Sequence, residues 1–366
     1  MIITIVAGAR PNFMKIAPLI HEINNVQAVT KKIDYRLVHT GQHYDNKMSG
    51  TFFTELNIPE PHINLESGGG TQAEQTAAIM VAFEKDLISH PADLVIVVGD
   101  VTSTMACSIV AKKMNTKVAH IEAGIRSFDL SMPEEINRMV TDSITDFFFT
   151  TTEWAGNNLI KNGAEADKIF FVGNIMIDTL LVNQSRFVPP GIWNKLSLQR
   201  GRYIVLTMHR PANVDSPHHL KVILETILKN VEKLPVIFPI HPRTAKVFFD
   251  LNIEAPNMYI TDPMGYLEFN YLVSHAKAVI TDSGGITEEA TVFGVPCITL
   301  RNNTERPETC TIGTNELAGT DPVAIKNALD KLMKGDWKKG SIPPLWDGNT
   351  AQRIVQKILS LYVEKN

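Results

Sequence analysis

Short, unbroken apolar runs recur along the chain, and amphipathic stretches separate them. "MIITIVAG", "YRLVHTG", "DLVIVVGD", "KVAHIEAG", "DFFFTTT" and "KIFFVG" lack the polar alternation of a half-exposed strand, so they predict strands buried on both faces. Between them, "NFMKIAPLIHEINN" and "TQAEQTAAIMVAFEKDLISH" repeat apolar residues at helical spacing. Such strands alternating with helices imply a parallel sheet covered on both sides. Turn formers then collect in "FVPPGIWNKLSLQRG". The rhythm restarts with "RYIVLTMH", "PVIFPIHP", "NMYITDP", "KAVITDS" and "PCITLR". The pattern predicts two doubly wound α/β domains, residues 1–170 and 171–351, joined near 170–200. A last amphipathic stretch, "TAQRIVQKILSLYVEK", follows the turn "PPLWDGN".

Length agrees with two domains, since 366 residues exceed one ordinary domain, and 44% hydrophobic content supplies two sizeable cores. A net charge of −4 with 20% charged residues and no basic block argues against nucleic acid or an anionic membrane as partner. No run approaches the ~18 apolar residues of a membrane span. The start, "MIITIVAGARPNF", has neither the basic region nor the long apolar core of a signal peptide. Cys107, Cys297 and Cys310 form no paired or metal spacing and read as small apolar residues in a reducing cytoplasm.

In doubly wound sheets, ligands sit beyond the carboxyl ends of the strands. Polar residues are dense at those ends here. Arg10 and Lys15 flank the start of the first helix, a pairing suited to a diphosphate. Asp100, Glu122 and Glu134 are three carboxylates at the rim of the first domain. Taken singly they have plainer readings: Asp100 before "VTST" reads as a helix N-cap, and Glu134 with Arg138 as a helical ion pair four apart. Taken together they predict proton transfer. His209 and His241 each end a strand of the second domain. Without a third ligand at metal spacing, they fit an imidazole near a leaving phosphate rather than a metal site. "TDSGGITEEA" places Ser283 and Gly284 between a strand and a helix, where free N–H groups cradle phosphate. Glu289, more than a turn further on, suits the hydroxyl pair of a ribose. Glu288 reads as its solvated or cap-stabilising neighbour.

Together "GARPNFMK", "GQH", "GD", "HIEAGIRS", "PEEINR", "MHRPANVD", "IHPR", "DSGGITEEA" and "TERPE" resemble, in order and spacing and over nearly the whole chain, the non-hydrolysing UDP-N-acetylglucosamine 2-epimerases. The resemblance implies the glycosyltransferase-B architecture: two Rossmann-like domains with a cleft between them, and a C-terminal helix, about 352–366, crossing back to the first. It implies a UDP-sugar substrate, a homodimer, and no metal or nicotinamide cofactor. The implied reaction interconverts UDP-N-acetylglucosamine and UDP-N-acetylmannosamine by elimination of UDP to 2-acetamidoglucal and re-addition. Position by position, Asp100, Glu122 and Glu134 match the family's acid/base carboxylates, and His209 its cleft histidine. Arg10, Lys15, Ser283, Gly284, Glu289 and Arg306 match nucleotide and diphosphate contacts. Gln72, Arg138 and His241 match positions lining the cleft, and Phe269 one near the uracil.

The chain departs from the family pattern in places. The histidine is followed by "RPANVD", and the stretch before "PEE" is two residues shorter than in many bacterial relatives. Many bacterial members carry a second substrate molecule as activator, held by the loop after "GQH" and by an arginine. Here the loop reads "GQHYDNKM" and Thr71 stands at the arginine's place, which predicts weak or absent activation. A modified sugar, such as a diacetamido uronic acid, is an alternative substrate. A glycosyltransferase of the same architecture would share the "DSGG" grip but lack the carboxylate trio, and a catalytically silent sensor would tolerate loss of the acids.

Overall fold

Two all-parallel sheets organise the chain in the computed structural model, which describes residues 1–363 apart from 31, 43–52, 54–55, 252 and 254. The first comprises β1 (Ile2–Ala7), β2 (Asp34–His39), β3 (Ile63–Asn64), β4 (Leu94–Val98), β5 (Lys117–Ile121), β6 (Phe147–Thr150) and β7 (Ile169–Phe171). Their spatial order is β3-β2-β1-β4-β5-β6-β7. Its helices are α1 (Arg10–Thr30), α2 (Gln72–Ser89), α3 (Thr102–Lys113), α4 (Pro133–Ile144), α5 (Glu153–Lys161) and α6 (Ile175–Asn183). From β1 the chain steps one way to β2. From β4 it steps the other way to β5. Right-handed crossovers therefore put α1 and α3 on opposite faces, and the reversal leaves a crevice beyond the ends of β1 and β4.

Burial explains the unbroken apolar runs. Every residue of β4 is buried. Val95 and Val97 meet Ile79, Phe83 and Leu87 of α2 and Ala106 and Val110 of α3 on one face. The alternating Leu94, Ile96 and Val98 point to the other. Ile16, Leu19, Ile20 and Ile23 of α1 are likewise fully buried.

The second sheet repeats the plan with β8 (Ile204–Thr207), β9 (Val236–Pro239), β10 (Met258–Thr261), β11 (Ala278–Thr281), β12 (Cys297–Thr299) and β13 (Asn315–Leu317), ordered β10-β9-β8-β11-β12-β13. Its reversal lies between β8 and β11. The helices are α7 (Gly191–Lys195), α8 (Pro211–Val214), α9 (Pro217–Asn230), α10 (Pro242–Phe248), α11 (Tyr266–His275), α12 (Gly284–Phe293), α13 (Pro307–Thr311) and α14 (Pro322–Lys334). Leu220, Ile223 and Leu224 of α9 join Ile325 and Leu329 of α14 over Leu206, Phe238 and Ile280. Leu272 and Val273 of α11 and Ala290 of α12 cover Val205, Ile237 and Val279 on the reverse face.

Packing divides the chain at 179/180 and 343/344, so α15 (Thr350–Val363) belongs to the first unit. Ala351 N–H donates to Asp178 Oδ2 at 2.7 Å, and Arg353 Nη1 to the Val172 carbonyl at 3.0 Å. Tyr362 Oη donates to the Asp93 carbonyl at 3.0 Å, and the Lys357 ammonium lies 4.5 Å from the centre of the Phe170 ring.

Candidate functional site

In the first unit the predicted residues gather beyond β1, β4 and β5. Asn12, in the first turn of α1, is buried and ties two strand ends together. Its Oδ1 accepts from Gly8 and Ala9 N–H at 3.1 and 2.9 Å, and its Nδ2 donates to the Val98 carbonyl at 3.0 Å. One turn on, Lys15 Nζ pairs with Glu122 Oε2 at 2.5 Å. The two are 107 residues apart in sequence. They lie against Gly99, where an added Cβ would come within 3.0 Å of Lys15 Nζ, and whose φ of +70° favours glycine in any case. Arg10 opens α1, but its side chain lies outside the described positions.

Glu122 follows β5 with φ +68° and is almost fully buried. A left-handed glutamate costs on the order of 1 kcal/mol, and such strain concentrates where a side chain must be aimed. The residues on either side of Glu122 in sequence are themselves tied down. His120, wholly buried, meets Asp142 Oδ1 at 2.7 Å through Nδ1 and the Gly99 carbonyl at 2.8 Å through Nε2. Asp142 also takes Arg126 Nη1 at 2.6 Å and the Gly124 N–H at 3.1 Å. Burial pulls the Asp142 carboxyl up, but His120 and Arg126 outweigh it and hold the group below the usual carboxylate range.

Asp100 is not the cap its sequence position predicts. The N-cap of α3 is Val101, with no side-chain cap bond, and Asp100 pairs instead with Arg138 Nη2. Arg138 in turn holds Glu135 Oε2 at 2.8 Å, so it pairs with Glu135 and Asp100, where the four-residue spacing points to Glu134. Glu135 is spent structurally: it accepts from Ser127 N–H and Oγ at 2.8 and 3.0 Å and from Phe128 N–H at 3.2 Å. Glu134 is half-buried in the first turn of α4. Gln72, exposed at the start of α2, accepts from Thr102 Oγ1 at 3.4 Å. Gln42 holds the start of α3, its Oε1 accepting from Ser103 N–H at 3.1 Å. The rest of the loop "GQHYDNKM", from position 43, lies outside the described residues.

In the second unit the site surrounds the ends of β8, β9 and β11. Ser283 caps α12 with no side-chain cap bond. Gly284 and Gly285 follow, and an added Cβ at Gly284 would meet nothing nearer than Arg301 Nη1 at 3.9 Å. The start of this ten-residue helix is thus unobstructed backbone N–H, with cationic side chains near it. Arg301 is clamped by Glu305 at 2.7 and 2.8 Å. Glu288, expected to be solvated, is buried and pairs with Arg306 Nε at 2.7 Å. Each arginine is thereby oriented by a carboxylate, Arg301 by one four residues on and Arg306 by one eighteen residues back, beyond any local spacing rule.

Glu289 is buried, and burial pushes its carboxyl up to about 8. Asn270 Nδ2 approaches its Oε1 at 3.5 Å, and burial, with the Glu289 charge adding to it, pushes the nearby Tyr266 phenol well up. Tyr266 Oη and Asn270 Oδ1 are buried without a hydrogen-bond partner among the described residues. Two buried polar atoms with unused hydrogen-bonding capacity thus lie beside the Glu289 carboxyl. Phe269, one residue before Asn270, packs half-buried against the core. His209 and His241 stand 5.8 Å apart, ring to ring. His209 Nδ1 lies 2.9 Å from Asp282 Oδ1, and His241 caps α10 by accepting from Arg243 N–H at 3.1 Å.

Two Rossmann-like domains, each with its polar residues at the switch point of its sheet, define the glycosyltransferase-B class of nucleotide-sugar enzymes. Residues 26–359 match the family model described as UDP-N-acetylglucosamine 2-epimerase. A UDP-N-acetylglucosamine 2-epimerase of Methanocaldococcus jannaschii is 40% identical over 97% of this chain and 98% of its own. A UDP-2,3-diacetamido-2,3-dideoxy-D-glucuronate 2-epimerase of Pseudomonas aeruginosa is also 40% identical, over 98% and 99%. The crystal structure of the M. jannaschii UDP-GlcNAc 2-epimerase in complex with UDP-GlcNAc and UDP superposes with a TM-score of 0.88 at 40% identity, covering 98% of this chain and all of that one. The chain belongs to the UDP-N-acetylglucosamine 2-epimerase family.

Proposed function

We propose that the protein is a non-hydrolysing UDP-N-acetylglucosamine 2-epimerase, converting UDP-N-acetylglucosamine to UDP-N-acetylmannosamine and back. The observation that carries the reading is the set of ionisable groups beyond β1, β4 and β5, where Glu122 is held in a strained backbone against Lys15 and Asp100 against Arg138. A glycosyltransferase needs no such acid/base set. Inverting carbon 2 does.

One carboxylate of Asp100, Glu122 and Glu134 removes the proton from carbon 2. The electron pair forms the double bond to carbon 1, and UDP leaves carbon 1 with the bonding pair of the glycosidic oxygen. The 2-acetamidoglucal then takes a proton on the opposite face of carbon 2, and UDP returns to carbon 1. Acids and bases on two faces supply the proton transfers, and donors on the diphosphate stabilise the departing charge. In the second domain Ser283, whose N–H is taken by Thr281 Oγ1 at 2.9 Å, offers its hydroxyl and Gly284 its N–H to the diphosphate, together with Arg306; Arg10 and Lys15 are the diphosphate contacts of the first domain. Glu289 accepts the ribose hydroxyls and Phe269 borders the uracil. His209 assists UDP departure and return with His241 beside it, while Gln72 and Arg138 line the site of the first domain.

The test needs only the protein and UDP-N-acetylglucosamine in deuterium oxide, followed by proton NMR. The expected product is UDP-N-acetylmannosamine carrying deuterium at carbon 2. A product that keeps its original hydrogen means hidden oxidation, and no reaction without an acceptor means a transferase. The P. aeruginosa relative, as identical as the archaeal one, favours a second reading in which the sugar is a diacetamido uronic acid. Comparing kcat/KM for the two UDP-sugars decides between them. We also propose a homodimer, supported by the exposed apolar Val81, Ile88, Ile136 and Met139 of α2 and α4. Light scattering at micromolar concentration should give twice the chain's 40.7 kDa.

A further inference from the structure

Asp282 is a wholly buried carboxylate for which the reading above has no use. The N-cap of α12 falls on Ser283, one residue later. Arg210 sends its Nε to the backbone carbonyl of Asp282, at 3.1 Å. The Asp282 carboxylate is filled by other donors. His209 N–H reaches Oδ1 and Oδ2 at 3.1 and 3.0 Å, Arg210 N–H reaches Oδ2 at 2.9 Å, and Asn213 Nδ2 reaches Oδ2 at 3.1 Å. One more contact completes the set, His209 Nδ1 at 2.9 Å from Oδ1.

An ionised carboxylate only accepts. The ring nitrogen facing it must therefore carry hydrogen, which fixes the proton of neutral His209 on Nδ1 and leaves Nε2 as the nitrogen able to take or give one. His241 is held the opposite way. Its Nδ1 accepts from Arg243 N–H at 3.1 Å, so the proton of the neutral ring sits on Nε2. Burial, with His209 beside it, also favours the neutral form of His241. Two histidines at matching strand ends, 5.8 Å apart, are thus given opposite tautomers by their partners.

We infer that Asp282 is a positioning residue for the epimerase reaction, fixing the tautomer and aim of His209 so that Nε2 exchanges the proton with the UDP leaving group, while His241 serves as a fixed N–H donor. The inference rests on the catalytic reading of His209. It goes beyond that reading by dividing the histidines into proton carrier and donor and by naming the group that makes the division.

Three measurements test it. In protein labelled with ¹⁵N-histidine, long-range ¹⁵N–¹H correlation at pH 8 should show His209 as the Nδ1–H tautomer and His241 as Nε2–H, with His209→Asn and His241→Asn used for assignment. An Nε2–H signal from His209 overturns the inference without any change to the site. Asp282→Asn presents an amide N–H or a weaker acceptor to Nδ1, and should lower kcat about 10- to 100-fold with KM within threefold. In a His209→Asn background the same change should cost nothing more, because the carboxylate acts through that ring. Full additivity of the two losses, or wild-type turnover in Asp282→Asn while His209→Asn is slow, also overturns it. Wild-type turnover in His209→Asn instead sinks the underlying reading of His209. Should Asp282→Asn fail to fold, the tautomers of the wild-type protein decide the matter.

Discussion

The two switch points have the same topology and opposite character. Beyond β1 and β4 the charges face one another: Lys15 holds Glu122, Arg138 holds Asp100 and Glu135, and Arg126 holds Asp142. Beyond β8 and β11 the centre is open backbone, the bare start of α12, and charged pairs such as Arg301–Glu305 and Glu288–Arg306 stand around it. A crevice full of paired ionisable groups is suited to moving protons. A crevice whose centre is N–H is suited to holding an anion, with His209 at its edge for the proton of the leaving group. The division of labour comes from the side chains grafted on the strand ends.

The division breaks first at Glu134. Glu134→Gln keeps size and hydrogen bonding but removes the acid/base function, so turnover should fall by about 10²–10³-fold. UDP affinity, to which Glu134 is given no part, should change little. Re-addition needs a proton on the face opposite the one first used. A stalled intermediate should therefore escape, and free UDP and 2-acetamidoglucal should accumulate slowly in the NMR tube. Poor UDP binding with early melting and no glycal would make Glu134 structural.

The converse change is Gly284→Asp. Its Cβ has room, and an aspartate in the first turn of a helix favours folding through the helix dipole. The same charge stands where the diphosphate should sit. Calorimetry should show UDP affinity down by about a hundredfold, or ~2.7 kcal/mol, with an unchanged or higher melting temperature. Undiminished UDP binding in a folded Gly284→Asp would remove α12 as the phosphate grip.

How much of this the sequence discloses follows the range of the interactions. Strand periods, the Ser-Gly-Gly turn and the polar strand ends are local, and they read correctly; the short edge strands Ile63–Asn64 and Asn315–Leu317 escape because two or three residues carry no period. What the sequence hides is partnership. Lys15–Glu122 spans 107 residues and Asp100–Arg138 spans 38, and no spacing rule reaches that far. The local rules even mislead, giving Asp100 to a cap and Arg138 to Glu134. Nor does sequence show the left-handed Glu122 or the unpartnered Tyr266 hydroxyl, since both depend on the finished backbone.

A smaller effect tests Glu289. Its carboxyl titrates near 8 in the free folded protein and in the ordinary glutamate range when unfolded. The folded state therefore holds a proton that the unfolded chain has lost, and stability from this group declines as pH rises from about 4.5 to about 8. Glu289→Gln should abolish that decline and melt higher than wild type at pH 8.5. It should also bind UDP about tenfold more weakly there, because an ionised acceptor for two ribose hydroxyls is gone. Identical melting curves for the two proteins across this range would show that Glu289 is not buried as a proton carrier.

The smallest effect concerns Thr71, the residue standing where the family resemblance expects an activator-binding arginine. The structure gives it a different task. Thr71 is the N-cap of α2, its Oγ1 accepting from Glu74 N–H at 3.2 Å while Glu74 Oε2 accepts from Thr71 N–H at 2.8 Å. This reciprocal capping box satisfies two orphan N–H groups, and those bonds hold the exposed Glu74 carboxyl below its ordinary value. An arginine would give up the threonine half of the box. Thr71→Ala should cost about 1 kcal/mol, a shift of a few degrees in melting temperature, and leave kcat unchanged. Initial rates of the wild type should rise hyperbolically with UDP-N-acetylglucosamine, and the reverse reaction should start from UDP-N-acetylmannosamine alone. Thr71→Arg should show the same loss of stability as Thr71→Ala, and any sigmoidal onset in that variant would mean that the missing cation was all that activation lacked. A sigmoid already present in the wild type would mean that other groups on the first unit hold the second sugar nucleotide, and that its carboxylate rim serves regulation as well as proton transfer.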